Sequence, residues 1–330
     1  MSGRELRIHR TARFTLDGGQ TLRNVRQAYH LDGELNAERD NLVLVFHALT
    51  GDADAVGGWW NEVAGEGRAI DTGRYAVLSP NLLGSCYGTE AGHGRALPPV
   101  SPRDMARLAG LLVRDLGVTS IALVTGGSLG GMVALEFIAQ NPGLARAAAI
   151  FAAPAAQTAL ATGWGHVQRQ AIVLGGPEQG LALARMVAML TYRTGEELEA
   201  RFGRRRRPDG TPQVHAYLDH HGDKLVRRFP VESYRTLIDA MDRHNVGRGR
   251  GGVARALTEA VGHLYAIGIP GDLLYPAEEV RRWAEEAGAV YREIRSVRGH
   301  DAFLLEHDQV AGLLAEALHA AAAAHAEAGS

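Results

Sequence analysis

The chain is short of several things that would point elsewhere. Its 330 residues hold one cysteine, Cys86, so no disulfide can form within it, and that suits a reducing compartment. Its formal charge is −2, which gives no electrostatic reason to expect nucleic acid as a partner. The residues after Met1 lack the apolar core of a signal peptide, and no apolar run is long enough to span a bilayer. A cytoplasmic protein with no membrane partner is expected. No internal repeat is visible. His215, Asp219, His220 and His221 have ligand chemistry but match no metal motif, so a helix surface is expected there and no metal. The run Arg204–Arg207 is short and isolated, and reads as a solvated loop.

What is present centres on residues 121–132. The apolar run from Ile121 ends in Gly126-Gly127-Ser128-Leu129-Gly130, and helical spacing begins at once. A G-x-S-x-G turn between strand and helix holds its serine in a strained conformation with the hydroxyl lifted off the sheet, which makes Ser128 a candidate nucleophile. Such turns also serve packing and phosphate binding, so the partners decide. A serine hydroxyl needs a histidine base, itself oriented by a carboxylate. In the α/β-hydrolase fold these follow in the order Ser, Asp, His, each after a strand. Here a strand-like run from Tyr265 ends at Asp272, and another from Tyr291 to Val297 precedes His300. The oxyanion donors of that fold are the backbone N–H after the nucleophile, here Leu129, and one from the loop after an early strand, here near Leu49.

The rest of the chain supports this architecture. Two alternating stretches in residues 5–31 read as half-exposed antiparallel strands at a sheet edge, and Leu42 to Phe46 as a strand covered on both faces. Residues 74–79 and 147–153 read as further strands, with helices over 102–116 and 132–140 between them. This alternation predicts a mostly parallel sheet flanked by helices. From about Pro154 to Arg250 strand signals nearly vanish. Helices are expected over 181–192, 196–202, 213–227 and 233–244, as an insertion over the active site. The expected division is therefore a core of 1–153 and 251–330 with a helical lid of 154–250. Helices over 277–287 and 309–326 complete the core. Gly247 to Gly252 reads as a flexible connector.

Side by side, these motifs resemble the homoserine O-acetyltransferase family of α/β-hydrolase-fold enzymes. The resemblance rests on His47-Ala48-Leu49-Thr50-Gly51, Gly58-Trp59-Trp60, Asp71-Thr72, Asn81 to Gly88, Gly126 to Met132 and Gly180 to Arg185. It continues through Thr191-Tyr192-Arg193, Arg201 to Arg204, Glu232 to Tyr234, Asp272 to Pro276 and Gly299 to Leu304. It implies a triad of Ser128, Asp272 and His300, oxyanion donors at Leu49 and Leu129, and an acceptor site of Arg185, Tyr192 and Asp301. It further implies acetyl-CoA as co-substrate without a resident cofactor, L-homoserine as acceptor, and a homodimer formed through the insertion. Arg185 and Tyr192 stand two helical turns apart and so share a face. A guanidinium and a carboxylate are the groups that a zwitterionic amino acid calls for. The chain departs from the pattern between Gln170 and Gly180, which is shortened, and after Thr89, where residues 90–95 are trimmed. Leu129 and Leu273 replace the usual Met and Trp. These departures bear on the acyl-donor pocket.

Overall fold

A computed structural model describes residues 4–89 and 97–328, with side chains through residue 323. The trimmed segment 90–95 lies outside the described residues. Eight strands form one sheet: β1 (Arg7–Thr15), β2 (Thr21–Asp32), β3 (Leu42–Phe46), β4 (Ala76–Pro80), β5 (Ile121–Gly127), β6 (Ala145–Phe151), β7 (His263–Gly268) and β8 (Val290–Glu293). Their spatial order is β1-β2-β4-β3-β5-β6-β7-β8. β1 pairs antiparallel with β2, and β2 with β4, while every pairing from β4 to β8 is parallel. This is the α/β-hydrolase arrangement expected from the alternating strands and helices.

The strand β3 shows why a continuous apolar run sits in the middle of such a sheet. Side chains alternate between faces with a period of two. Leu42, Leu44 and Phe46 join one buried cluster with α1 (Pro102–Asp115) and α2 (Leu129–Gln140), through residues such as Leu108, Leu112 and Phe137. Val43 and Val45 join the other, with Trp60, Phe151 and Leu314. Both faces are covered, so a polar residue at any of these five positions would lose hydration without a partner.

Six helices lie between β6 and β7 along the chain: α3 (Ala159–Gly175), α4 (Leu181–Tyr192), α5 (Gly195–Arg201), α6 (Gln213–Val226), α7 (Val231–Met241) and α8 (Val253–Leu257). α3 is the element that the sequence concealed. The inward stripe of α3 is Ala161, Gly165, Gln168 and Ile172, whereas Leu160, Val167, Val173 and Leu174 are 53, 46, 65 and 85% exposed. Most of its large apolar residues therefore mark the wrong side for a core helix.

Two other boundaries moved. β8 ends at Glu293 rather than Val297, because beyond it the chain turns back through Ser296, whose hydroxyl hydrogen-bonds the Glu306 carboxylate at 2.6 Å. The Gly247–Gly252 stretch is a hydrogen-bonded turn, with Arg250 N–H donating to Gly247 O at 3.0 Å and the Arg250 guanidinium 2.9 Å from buried Glu136. After β7 come α9 (Ala277–Ala287), α10 (Ala302–Leu305) and α11 (His307–Ala328). Among the described residues, no helix is long and apolar enough to cross a membrane.

Candidate active site

The turn between β5 and α2 puts Ser128 at φ 56° and ψ −124°, a backbone conformation that costs energy for a residue with a Cβ. Its neighbours hold it there. Ser128 N–H donates to Phe151 O at 2.9 Å, and Ser128 O accepts from Met132 N–H at 3.0 Å. The glycines permit the close approach: a Cβ on Gly126 would meet the Gly130 backbone at 2.6 Å, and one on Gly130 would strike Phe46 O. Ser128 is buried but lines a cavity of about 200 Å³, so its hydroxyl faces a space that a small substrate can enter.

Asp272 and His300 form the other end of the site. Asp272 Oδ1 accepts from the Leu274 and Tyr275 N–H groups at 2.8 and 3.0 Å, while Oδ2 accepts from His300 Nδ1 at 2.6 Å. Held by two backbone amides, the carboxylate fixes the imidazole tautomer and leaves Nε2 as the working nitrogen. Nε2 has no hydrogen-bond partner among the described residues, and His300 lines the same cavity as Ser128. The Asp–His link is therefore made, while the His–Ser hydrogen bond is not; such links commonly close only with substrate bound. The rings of Tyr192, Tyr275 and Phe303 surround the imidazole, with centroids 5.5, 5.5 and 5.6 Å away. Burial works against charging His300, but the charge and hydrogen bond of Asp272, helped by Asp301, outweigh it and raise its pKa above the usual histidine value.

The expected oxyanion donors are placed by separate means. Leu129 is the first residue of α2, so its N–H has no acceptor within the helix and sits at the positive end of the helix dipole. Leu49 lies in the loop after β3, which His47 braces from within. Leu82 N–H donates to His47 Nε2 at 3.0 Å, which leaves the proton on Nδ1 to donate to Ala48 O at 2.8 Å. Burial lowers the His47 pKa, consistent with a neutral ring spanning two chain segments. Leu49 lines the same cavity as His300 and Asp301.

The expected acceptor residues share that cavity. Arg185 lies 5.4 Å over the Tyr192 ring, as their spacing on α4 implied, and both line the cavity with Asp301. Burial pushes the Tyr192 hydroxyl up to about 12, so it stays protonated and can donate. Asp301 does not cap the helix that follows it. Its Oδ2 lies 3.0 Å from Arg193 Nη2, and Arg193 Nη1 also reaches Glu197 at 3.3 Å. Arg193 was visible in the sequence only as part of a matching motif; its contact with Asp301 spans more than 100 residues and needed the fold to appear. Arg228, which also lines the cavity, carried no sequence signal at all. Among the described residues, no cluster of three or more His, Cys, Asp or Glu side chains is placed to hold a metal.

Residues 41–303 match the α/β hydrolase fold family. The homoserine O-acetyltransferase of Thermus thermophilus is 45% identical, over 91% of this chain and 88% of its own. The chain belongs to the homoserine O-acetyltransferase family. Among solved structures, the homoserine O-acetyltransferase of Staphylococcus aureus superposes with a TM-score of 0.83 at 31% identity, over 94% of each chain. That of Bacillus anthracis gives a TM-score of 0.87 at 20% identity, over 95% of this chain and 97% of its own, which speaks for the fold alone. Ser128, which follows β5, and His300, which follows β8, line one cavity, and Asp272, which follows β7, is hydrogen-bonded to His300.

Proposed function

We propose that this protein is a homoserine O-acetyltransferase working by two acyl transfers through Ser128. The observation that carries the reading is one cavity that contains both a nucleophile with its base and an acceptor site with a guanidinium, a phenol and a carboxylate. A simple esterase needs only the first set. In the first transfer His300 Nε2 takes the Ser128 proton as Oγ attacks the thioester carbonyl of acetyl-CoA. The Leu49 and Leu129 N–H groups hold the oxyanion, the C–S bond breaks, and His300 returns the proton to the departing thiolate. In the second, the side-chain hydroxyl of L-homoserine gives its proton to Nε2 and attacks the acetyl-serine. O-acetyl-homoserine leaves and Ser128 is restored. The same reading places the product in methionine biosynthesis.

Orientation of the acceptor would fall to three side chains: Arg185 on its carboxylate, Asp301 on its ammonium, and Tyr192 between them and the base. The helices α3–α7 would act as a lid, excluding water that would otherwise hydrolyse the acyl-enzyme. The same reading includes a homodimer in the cytoplasm. The exposed apolar stripe of α3, together with Leu183 and Leu190 on α4, supports a subunit contact there.

The test is CoA release from acetyl-CoA and from succinyl-CoA, with L-homoserine, L-serine or no acceptor. Release from acetyl-CoA that depends on homoserine is expected. Equal release without an acceptor would make the protein a hydrolase, and preference for succinyl-CoA would reassign the donor.

A further inference from the structure

The cavity contains more positive charge than the reading above uses. Two of its charged groups are already balanced: Asp301 by Arg193, and His300 by Asp272. Arg185 and Arg228 remain, and neither forms an ion pair with a carboxylate among the described residues. Arg185 lies over the face of Tyr192. Arg228 follows α6 and lines the cavity, and its Nη1 donates to Thr50 O at 2.8 Å. That bond ties it to the loop carrying Leu49, and its other guanidinium nitrogens have no hydrogen bond among the described residues. Burial and the charge of Arg185 lower the Arg228 pKa, opposed by the weaker effects of Cys86 and Asp52. Two guanidiniums without an ion-pair partner, lining a space of about 200 Å³, suit an anion.

Which anion follows from position. Thr50 is the residue next to Leu49, so Arg228 is anchored one residue from the expected oxyanion donor. The phosphates of a CoA donor lie a full pantetheine arm away from the reacting carbonyl, too far to meet a group held so close to it. The α-carboxylate of a small hydroxy amino acid, in contrast, is separated from its hydroxyl by three carbons. A carboxylate offers about four lone-pair sites, enough for two guanidiniums. We infer that Arg228 is the second arm of a clamp which, with Arg185, grips the acceptor's carboxylate and selects amino acids over other alcohols. This rests on the acetyl-transfer reading and names the group that its acceptor must have.

The experiment compares the wild type with Arg228→Met and Arg228→Lys, using L-homoserine and the alcohol 2-amino-1,4-butanediol, which lacks the carboxylate. With homoserine, Arg228→Met should raise KM and lower kcat/KM by roughly 10- to 100-fold, the worth of one charged hydrogen bond. Arg228→Lys should recover only part of that, since the ammonium keeps the charge but not the fork. With the diol, wild type and variants should agree within about 3-fold, because no carboxylate is present for the clamp. Equal losses with both acceptors would show that Arg228 merely braces the Thr50 loop, and a rise in KM for acetyl-CoA instead would place it on the donor; either result overturns the inference. If even the wild type releases CoA without regard to any hydroxy amino acid, the transfer reading itself fails, and this inference with it.

Discussion

The two walls of the cavity are built differently. On the sheet side, the groups expected to do the chemistry are fixed by backbone: Ser128 by a strained turn and amide hydrogen bonds, Asp272 by the Leu274 and Tyr275 amides, Leu129 by the start of α2. On the side expected to take the acceptor, the groups are held by other side chains or by a lone carbonyl: Asp301 by Arg193, Arg185 by Tyr192, Arg228 by Thr50 O. Backbone hydrogen bonds define positions to within tenths of an ångström, which proton transfer and nucleophilic attack demand. Long side chains adapt, which suits the capture of a flexible zwitterion. The reaction is thus expected to depend on one wall and the choice of acceptor on the other.

Substitutions on each wall test that division. The largest effect is expected from Ser128→Ala, which should cut acetyl transfer by at least about 10³-fold while circular dichroism and melting stay close to wild type. Substantial residual turnover would remove Ser128 as nucleophile. Asp272→Asn should lower kcat by about 10³- to 10⁴-fold through the wrong imidazole tautomer, whichever acceptor is used. On the opposite wall, Asp301→Asn and Arg193→Met should each raise KM for homoserine by roughly 10-fold, the effect of one charge-assisted contact, while acetylation of Ser128, read as a pre-steady-state CoA burst, falls much less. Equal damage to both half-reactions would collapse the distinction between the walls.

The pH profile sharpens the same contrast. The base must be neutral to act, and His300 holds its proton to higher pH than an ordinary histidine. kcat/KM should therefore fall as pH drops through that raised value, and Asp272→Asn should move this acid limb to lower pH by removing the charge that raises it. Arg193→Met should leave the limb nearly in place. The smallest effect on chemistry belongs to the outer face of α3: Leu174→Glu should shift the protein from dimer to monomer in sedimentation velocity. A wild type that already sediments as a monomer would remove the dimer from the proposal.

Much of this was legible in the chain itself. The run Leu42–Phe46 reads as a strand covered on both faces, and its five residues are all fully buried. The order Ser128, Asp272, His300 was readable because each follows a strand-like run. Arg185 and Tyr192 fell on one face because helical geometry is local. The helix α3 was hidden because small and polar residues form its inward stripe, so hydrophobic periodicity pointed to solvent. Arg193 and Arg228 were hidden because an arginine with a distant partner looks like any solvated arginine.

The sequence by itself determined the sheet and the sharp turn at Ser128, and it placed Asp272 and His300 after later strands, since each is set by local steric rules and by burial patterns with a period of two or 3.6. Only the tertiary structure decided the charge balance of the cavity. Asp301 meets Arg193 from a hundred residues away, and Arg228 meets the Leu49 loop across nearly two hundred, so whether each charge is neutralised or left open to a ligand depends on which segments the fold brings together.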